Sequence, residues 1–425
     1  MLASVRAMAV FARPSPRTAP RRRPVRAALR RLVRALAARS LPLLTVALAS
    51  AGARAADAPT IWVSPTAGGA ATLQGNGDVL LHLDDGHAKV LARAVQGDSL
   101  RPCDGRLLGI DADGRLRSLT APGSRVGPAV SPHSRPACLP GGRVVAISSD
   151  ARSILLLAPD LKTIARRPLD ALPDADPVVV GDDVAVLSHP TQRYRHGILG
   201  DEIEAGAVTL LRQHDLSIVA SYEVAAPAVI EQRRVAAFPA AGRYGMLLTR
   251  STPNAGAGVT AIALRDGKLT AVASAPPIGS GHRWLNLFAV AGANAYAVRT
   301  PHLGGPLERF HIAGARLEVT RYVLGVTNHV LGSRNLDLAV LLPAPAPRDV
   351  DVLALPGLDL RQVHVVACTD AGCVPELMLW LHAPLSSNLA ACWRGAQLVV
   401  YAGEADGSLQ SFDLDASLWR PPRPR

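Results

Sequence analysis

An all-β fold built from repeated four-stranded units is predicted by three features of this 425-residue sequence. Short runs of Val, Leu, Ile and Ala are punctuated by DG, GG, PG and Pro-rich turns, which reads as strands rather than buried helix segments. Candidate amphipathic helices are few. A strand–turn–strand–strand order also recurs. CDGRLLGIDADGRLRSLTAPGSRVGPAV, from Cys103, is echoed by CLPGGRVVAISSDARSILLLAPDLKTIARRPL, from Cys138, at an offset of 35 residues, and again by AACWRGAQLVVYAGEADGSLQSFDLD near the C-terminus.

The segments KVLARAV, TIARRPL, LSIVASYEV, KLTAVASAP, RLEVTRYVL and RQVHVVAC read as the last, exposed strand of such units. They recur at roughly 36 to 55 residues, the spacing of propeller blades. A four-stranded unit of this size cannot bury both faces alone, and stacking units around an axis solves that problem. The expectation is a β-propeller of about eight four-stranded blades, the last lacking its outer strand. Seven blades is the alternative, with TIWVSP supplying the missing strand. A parallel β-helix is the rival architecture, but its rungs are shorter and more uniform. In this pattern the chain resembles the broad group of exported bacterial propellers with degenerate WD40/YVTN-like repeats, the YncE-like and quinoprotein-like ones. The repeated Trp-bearing docking motif of quinoprotein dehydrogenases is missing: Trp62, Trp284, Trp380, Trp393 and Trp419 share no common place in the repeat, so no quinone cofactor is expected.

The formal charge of +12 is concentrated at one end. Residues 1–56 hold twelve of the 46 basic residues and none of the 34 acidic ones, so the remainder balances at 34 of each. A neutral body without a basic stripe excludes a nucleic-acid footprint. The arginine-rich start, the apolar run over 41–53 and the small residues Ala53 and Ala55 have the order of a secretory signal. That run is shorter than the roughly 20 residues a membrane span takes. Residues 1–55 are therefore expected to be a cleaved signal region and 56–425 a single propeller domain. The mature chain is expected to be periplasmic or secreted, with no stable membrane insertion. Arg30-Arg31 raises a twin-arginine route, although ALRRLVR matches it poorly.

Five cysteines suit an oxidising compartment without making a disulfide scaffold. Cys368 and Cys373, in CTDAGC, can pair across a turn. Cys103, Cys138 and Cys392 each end the first strand of their units, and Cys103 with Cys138 can bridge neighbouring blades. The odd number leaves at least one free thiol. No CxxC supports a thiolate metal site.

The polar residues concentrate on one side of the predicted ring. With the strands of each blade lettered A to D from the axis outward, B–C and D–A loops emerge on one face and A–B and C–D loops on the other. YRHGILGDEIEA, residues 194–205, is a long B–C loop of the fourth unit carrying Tyr194, Arg195, His196, Asp201, Glu202 and Glu204. Gly197, Gly200 and Gly206 allow it to turn tightly. D–A connections bring His133, Arg233, Arg234, His282, Arg283, His329 and Arg334 to the same face, where loops on a rigid scaffold commonly bind. Beyond the 194–205 segment, few inward-pointing acids are expected near the channel.

Two functions fit. The first is a non-enzymatic module that binds a small polar ligand or an envelope protein through the B–C/D–A face, with Tyr194, Arg195, His196, Asp201, Glu202, Glu204, His282, Arg283, His329 and Arg334 as its candidate residues and no cofactor. The second is a divalent-metal-dependent hydrolase of lactonase type. Asp201 and Glu204 suit Ca²⁺, and His196 widens the choice to Zn²⁺ or Mn²⁺. His282 and His329 would complete the site, with metal-bound water attacking an ester or lactone. No GxSxG, HExxH or Walker loop is present.

Overall fold

The computed structural model describes residues 58–419 apart from 121–124, 241–242, 323 and 345–349. The chain divides between Val46 and Ala47, and its first unit lies wholly outside these residues, as does the expected cleavage site after Ala55.

Among the described residues the architecture is all-β, a propeller of eight antiparallel blades with three short 3₁₀ turns. The first blade is Thr60–Thr66, Gly69–Gln74, Val79–Leu83 and Ala88–Ala92, paired in chain order. The second runs from Gln96–Cys103 to Val126–Ala129, and the third from Ala137–Cys138 to Thr163–Pro168. Blades four to seven begin at Val178–Val180, Ala236–Ala240, Leu285–Ala291 and Val340–Leu341. The eighth has three strands, Leu385–Arg394, Gln397–Glu404 and Leu409–Leu414.

Burial follows radial position. In the third blade, strands B (Val144–Ile147) and C (Ser153–Leu157) are buried at every residue, while Thr163–Pro168 alternates between exposed and half-buried. A middle strand lies between two neighbouring blades and needs apolar side chains on both faces, which explains continuous runs such as VVAI and SILLL. The outer strand wets its rim. The core is accordingly a series of clusters between blades, such as Val352, Val365, Leu398 and Phe412 between the seventh and eighth. With aromatic residues at 4% of the chain, small aliphatics fill these layers.

Closure of the ring settles the role of TIWVSP. It is the innermost strand of the first blade and does not complete the eighth. It docks on the inner strand of the eighth blade, where Val63 N–H donates to Asn388 Oδ1 at 2.7 Å and Asn388 Nδ2 donates back to Val63 O at 2.9 Å. One strand assignment is corrected. RQVHVVAC lies in Gln362–Thr369, the third strand of the seventh blade, and the outer strand is Gly372–Trp380. The third strand reads as an outer one because Gln362 and His364 alternate with valines, and both are only half-buried.

Two disulfides are present, Cys103–Cys138 joining the inner strands of the second and third blades, and Cys368–Cys373 across the hairpin of the seventh. Cys392 is a free, half-buried thiol.

Candidate functional site at the B–C/D–A face

The fourth and fifth blades are stitched together where Val229–Ile230 pairs with both: Ala205 faces Ile230, and Ile230 faces Arg250. The next antiparallel position sets Glu204 beside Glu231, two carboxylates that are 1% and 0% exposed. Like charges so placed repel. Glu231 is provided for: Ser251 donates a hydroxyl to Oε2, and His196 Nδ1 lies 2.5 Å from Oε1. Glu204 has no hydrogen bond to its Oε1. Burial, then Glu231, Asp174 and Asp201, push its carboxyl well above the usual carboxylate range, so it is held protonated.

Loop 192–203 folds over this pair in two directions. Tyr194 is buried, its hydroxyl accepting from His282 N–H at 3.1 Å and its ring stacked on the His282 ring at 5.3 Å. Burial beside Glu231 pushes that hydroxyl up to about 12, so it stays neutral. Ile198 and Leu199 enter an apolar cluster with Phe238, Trp284 and Leu336. Asp201 pairs with Arg334 at 2.8 Å, and Gly332 N–H donates to Ile198 O at 3.0 Å. Gly200 has φ 97°, and a Cβ there would lie 2.9 Å from Gly332 O, so this crossing requires glycine. Arg195 and Glu202 point outward as a loose, exposed pair at 3.9 Å, of little energetic weight. The loop is thus latched by its inward residues across to the connection between the sixth and seventh blades.

His329 belongs to a second polar group. Its Nε2 lies 2.7 Å from Ser333 O and its Nδ1 2.9 Å from His302 Nε2, which requires that His329 donate through Nε2 and accept from His302. Burial holds His329 down to about 3 and also lowers His302, so both rings are neutral. Trp284 packs against the pair and donates Nε1–H to Glu231 O at 2.9 Å. His282 and Arg283 are exposed at the rim.

Beneath the loop the channel is closed by charge. Arg135 bridges Asp176 at 2.9 Å and Asp337 at 2.8 Å, with its guanidinium 4.8 Å above the Trp62 ring. Arg234 joins Asp176 to Asp337. Arg233, 6% exposed, reaches Asp98, Asp174 and Asp176 and donates to the carbonyls of Asp174, His133 and Arg334. About 10 Å³ of space remains among these groups, room for one water at most. Burial alone would raise Asp176, but Arg135, Arg233 and Arg234 outweigh it and hold the carboxyl below its ordinary range. Asp174 is lifted by burial to about 6 despite Arg233.

This corrects the expectation of few inward acids. Asp98, Asp174, Asp176, Glu231 and Asp337 all face the channel mouth, each in contact with a basic partner. Glu231 and Asp337 lie in D–A connections already notable for basic residues, IEQRR and SRNLD, and Asp174 and Asp176 lie in PDADP, the D–A connection after the third blade. Tallying both signs of charge in those connections was the available signal. His302, in a B–C loop of the sixth blade, carried none.

The residues expected to hold a divalent ion are brought near one another but are otherwise engaged. Asp201 is taken by Arg334 and the Ile203 amide, His196 by Glu231, and His329 by His302 and Ser333. Among the described residues no three His, Cys, Asp or Glu side chains are grouped so as to hold a metal ion.

One consequence concerns pH. A carboxyl whose folded value is raised lowers stability as pH rises above its unfolded value, about 4. Glu204→Gln is therefore expected to raise the melting temperature by a few degrees at pH 7 and to leave it unchanged near pH 4. Thermal melts at the two pH values check this, and an equal change at both would contradict a buried, protonated Glu204.

No family model matches the sequence, and no curated protein matches it. Solved structures do resemble it. BamB from Moraxella catarrhalis superposes with a TM-score of 0.53 at 12% identity over 85% of this chain and 99% of that one. Sqt1 from Saccharomyces cerevisiae gives 0.53 at 8% identity over 84% and 96%. The C-terminal WD40 domain of Sif2 gives 0.52 at 10% identity over 84% and 96%. These are propellers, and the likeness establishes the fold. Among the described residues no helix is long and apolar enough to cross a membrane.

Proposed function

We propose that this chain is an exported protein-interaction propeller whose B–C/D–A face docks a partner protein of the cell envelope. The observation that carries the reading is a closed, braced platform that nevertheless exposes large aliphatic side chains. The ionic plug fills the channel mouth, and loop 192–203 is latched over it. Around them Leu303 is 64% exposed, Leu331 67% and Leu358 50%, with Val330 beside them at 43%. The loops that carry them touch: a Cβ at Gly304 would sit 3.2 Å from Leu358, His302 bonds His329, and Gly332 bonds Ile198. Clustered exposed aliphatics on a rigid surface mark docking sites. A filled mouth suits a broad protein contact better than an enclosed small ligand.

The test is a photo-crosslinker introduced at position 331, with one at Asp104 on the opposite face as control. A discrete envelope-protein adduct is expected from 331 and none from 104. The Leu303→Asp/Leu358→Asp double variant should reduce that adduct at least tenfold with little change in melting temperature, since surface substitutions are usually within about 0.5 kcal/mol each. Equal adducts from both faces, or an adduct indifferent to the double variant, would reject this face as the docking surface.

A further inference from the structure

On the opposite face of the ring lie the A–B and C–D turns, and two hollows meet there at the seam between the eighth and first blades. The larger, about 750 Å³, is walled by Pro65, Pro102, Leu107, Trp393 and the Cys103–Cys138 disulfide, with the Cys392 thiol beside them. The smaller, about 470 Å³, runs along the eighth blade past Tyr401. Arg394 and Asp84 line both, so their ion pair stands between the two. Small-molecule sites have volumes of about 300–1,000 Å³.

This partition is short of acceptors. Arg394 donates Nη1–H to Asp84 Oδ1, but its Nε and Nη2 have no hydrogen bond. Its guanidinium lies 5.6 Å from the centroid of the Tyr401 ring. Tyr401 is 4% exposed, and its hydroxyl is also without a partner. Among the described residues eleven buried side-chain polar atoms lack a hydrogen bond, and three of them meet here. Native structures rarely leave such atoms unsatisfied. All three carry a hydrogen. Burial pushes the Tyr401 hydroxyl up to about 12 despite Arg394, so it keeps its proton at neutral pH. The missing group is an acceptor.

Geometry and charge narrow that acceptor. Nε–H and Nη2–H lie parallel on one edge of a guanidinium, the fork that matches the two oxygens of a carboxylate. Arg394 is 27% exposed and tethered at Nη1 alone, to an Asp84 that is 58% exposed, so its fork can turn to a ligand at little cost. The other charges nearby are already engaged. Asp84 is taken by Arg394, and Arg106 donates to the carbonyls of Pro159 and Gly142. One free edge of one guanidinium suits a monoanion better than a phosphate dianion, and the apolar walls suit a hydrocarbon or aromatic body. We infer that this seam binds a small monocarboxylate with an apolar body, its carboxylate held by Arg394 and Tyr401 and its body lying against Trp393 and the disulfide.

The test uses 2-naphthoate as probe, 2-naphthamide as its neutral counterpart, and the purified protein. Titration calorimetry is expected to show the acid binding at least tenfold more tightly than the amide. Saturating naphthoate should slow alkylation of Cys392 by N-ethylmaleimide at least tenfold, read by peptide mass spectrometry. Arg394→Gln and Arg394→Lys should each weaken the acid at least tenfold, since lysine keeps the charge and lacks the fork. Tyr401→Phe removes a hydroxyl that bonds nothing in the free protein, so it should leave the melting temperature unchanged and weaken the acid at least threefold. That variant decides the question if the Arg394 variants do not fold. Any of five results would overturn the inference: no binding at millimolar naphthoate, equal binding of acid and amide, an affinity indifferent to Arg394 and Tyr401, binding that leaves Cys392 alkylation unchanged, or displacement of naphthoate by an equal concentration of inorganic phosphate.

Discussion

Asp176→Ala is expected to destabilise the protein by about 3–5 kcal/mol, the range for removing one partner of a buried ion pair. The aspartate is 6% exposed and meets three guanidinium groups, Arg135 at 2.9 Å, Arg233 at 3.5 Å and Arg234 at 3.6 Å. It also accepts the Arg135 amide at 2.8 Å. Alanine leaves positive charge stranded where about 10 Å³ of space admits little water. Asp176→Asn keeps an acceptor for the amide and should fall between alanine and the wild type. The pH dependence has a definite sign. A carboxyl held below its ordinary value stabilises the fold above its unfolded value, and that stability is lost as pH falls through the folded value. Wild-type stability should therefore decline below about pH 4, and the alanine variant should lack that part of the acid limb. Urea unfolding at pH 7 and pH 3 measures both. A change under about 1 kcal/mol at pH 7 would show that the plug is solvated.

Loss of the Cys103–Cys138 disulfide is expected to cost about 3–4 kcal/mol on the chain-entropy account of a 35-residue loop. The Cys103→Ser/Cys138→Ser variant should unfold at lower urea, and reductant should lower the wild type toward it while barely moving the variant. Cys368–Cys373 spans five residues inside a hairpin already held by its ladder, so Cys368→Ser/Cys373→Ser should have a smaller effect. A free-thiol titration giving more than one reactive cysteine in the native protein would contradict this assignment of Cys392 as the free thiol.

Much of the fold was legible because its signals are local. DG and GG turns, runs such as SILLL and the 35-residue echo of Cys103 in Cys138 each act within one or two blades, and the structure keeps them there. The long B–C loop was equally legible, since its place follows from counting strands, but it spans 192–203: Glu204 and Ala205, expected in the loop, open the third strand. RQVHVVAC was misplaced by one strand because alternation alone does not separate a third strand from a fourth.

The site was legible as a face but not as a mechanism. The sequence by itself determined the repeat, the strand-rich core and the side on which polar loops emerge, because each depends on residues near one another in the chain. Which charge meets which was decided by the tertiary structure alone. Arg135 and Asp337 are 202 residues apart and Arg334 and Asp201 are 133 apart, yet ring closure brings each pair to 2.8 Å. Asp201 and His196 look available to a ligand until the fold supplies Arg334 and Glu231, and Glu204 looks like a solvated acid until Ala205 pairs with Ile230. Coulomb and desolvation energies depend on distance and burial in space, and a sequence records neither.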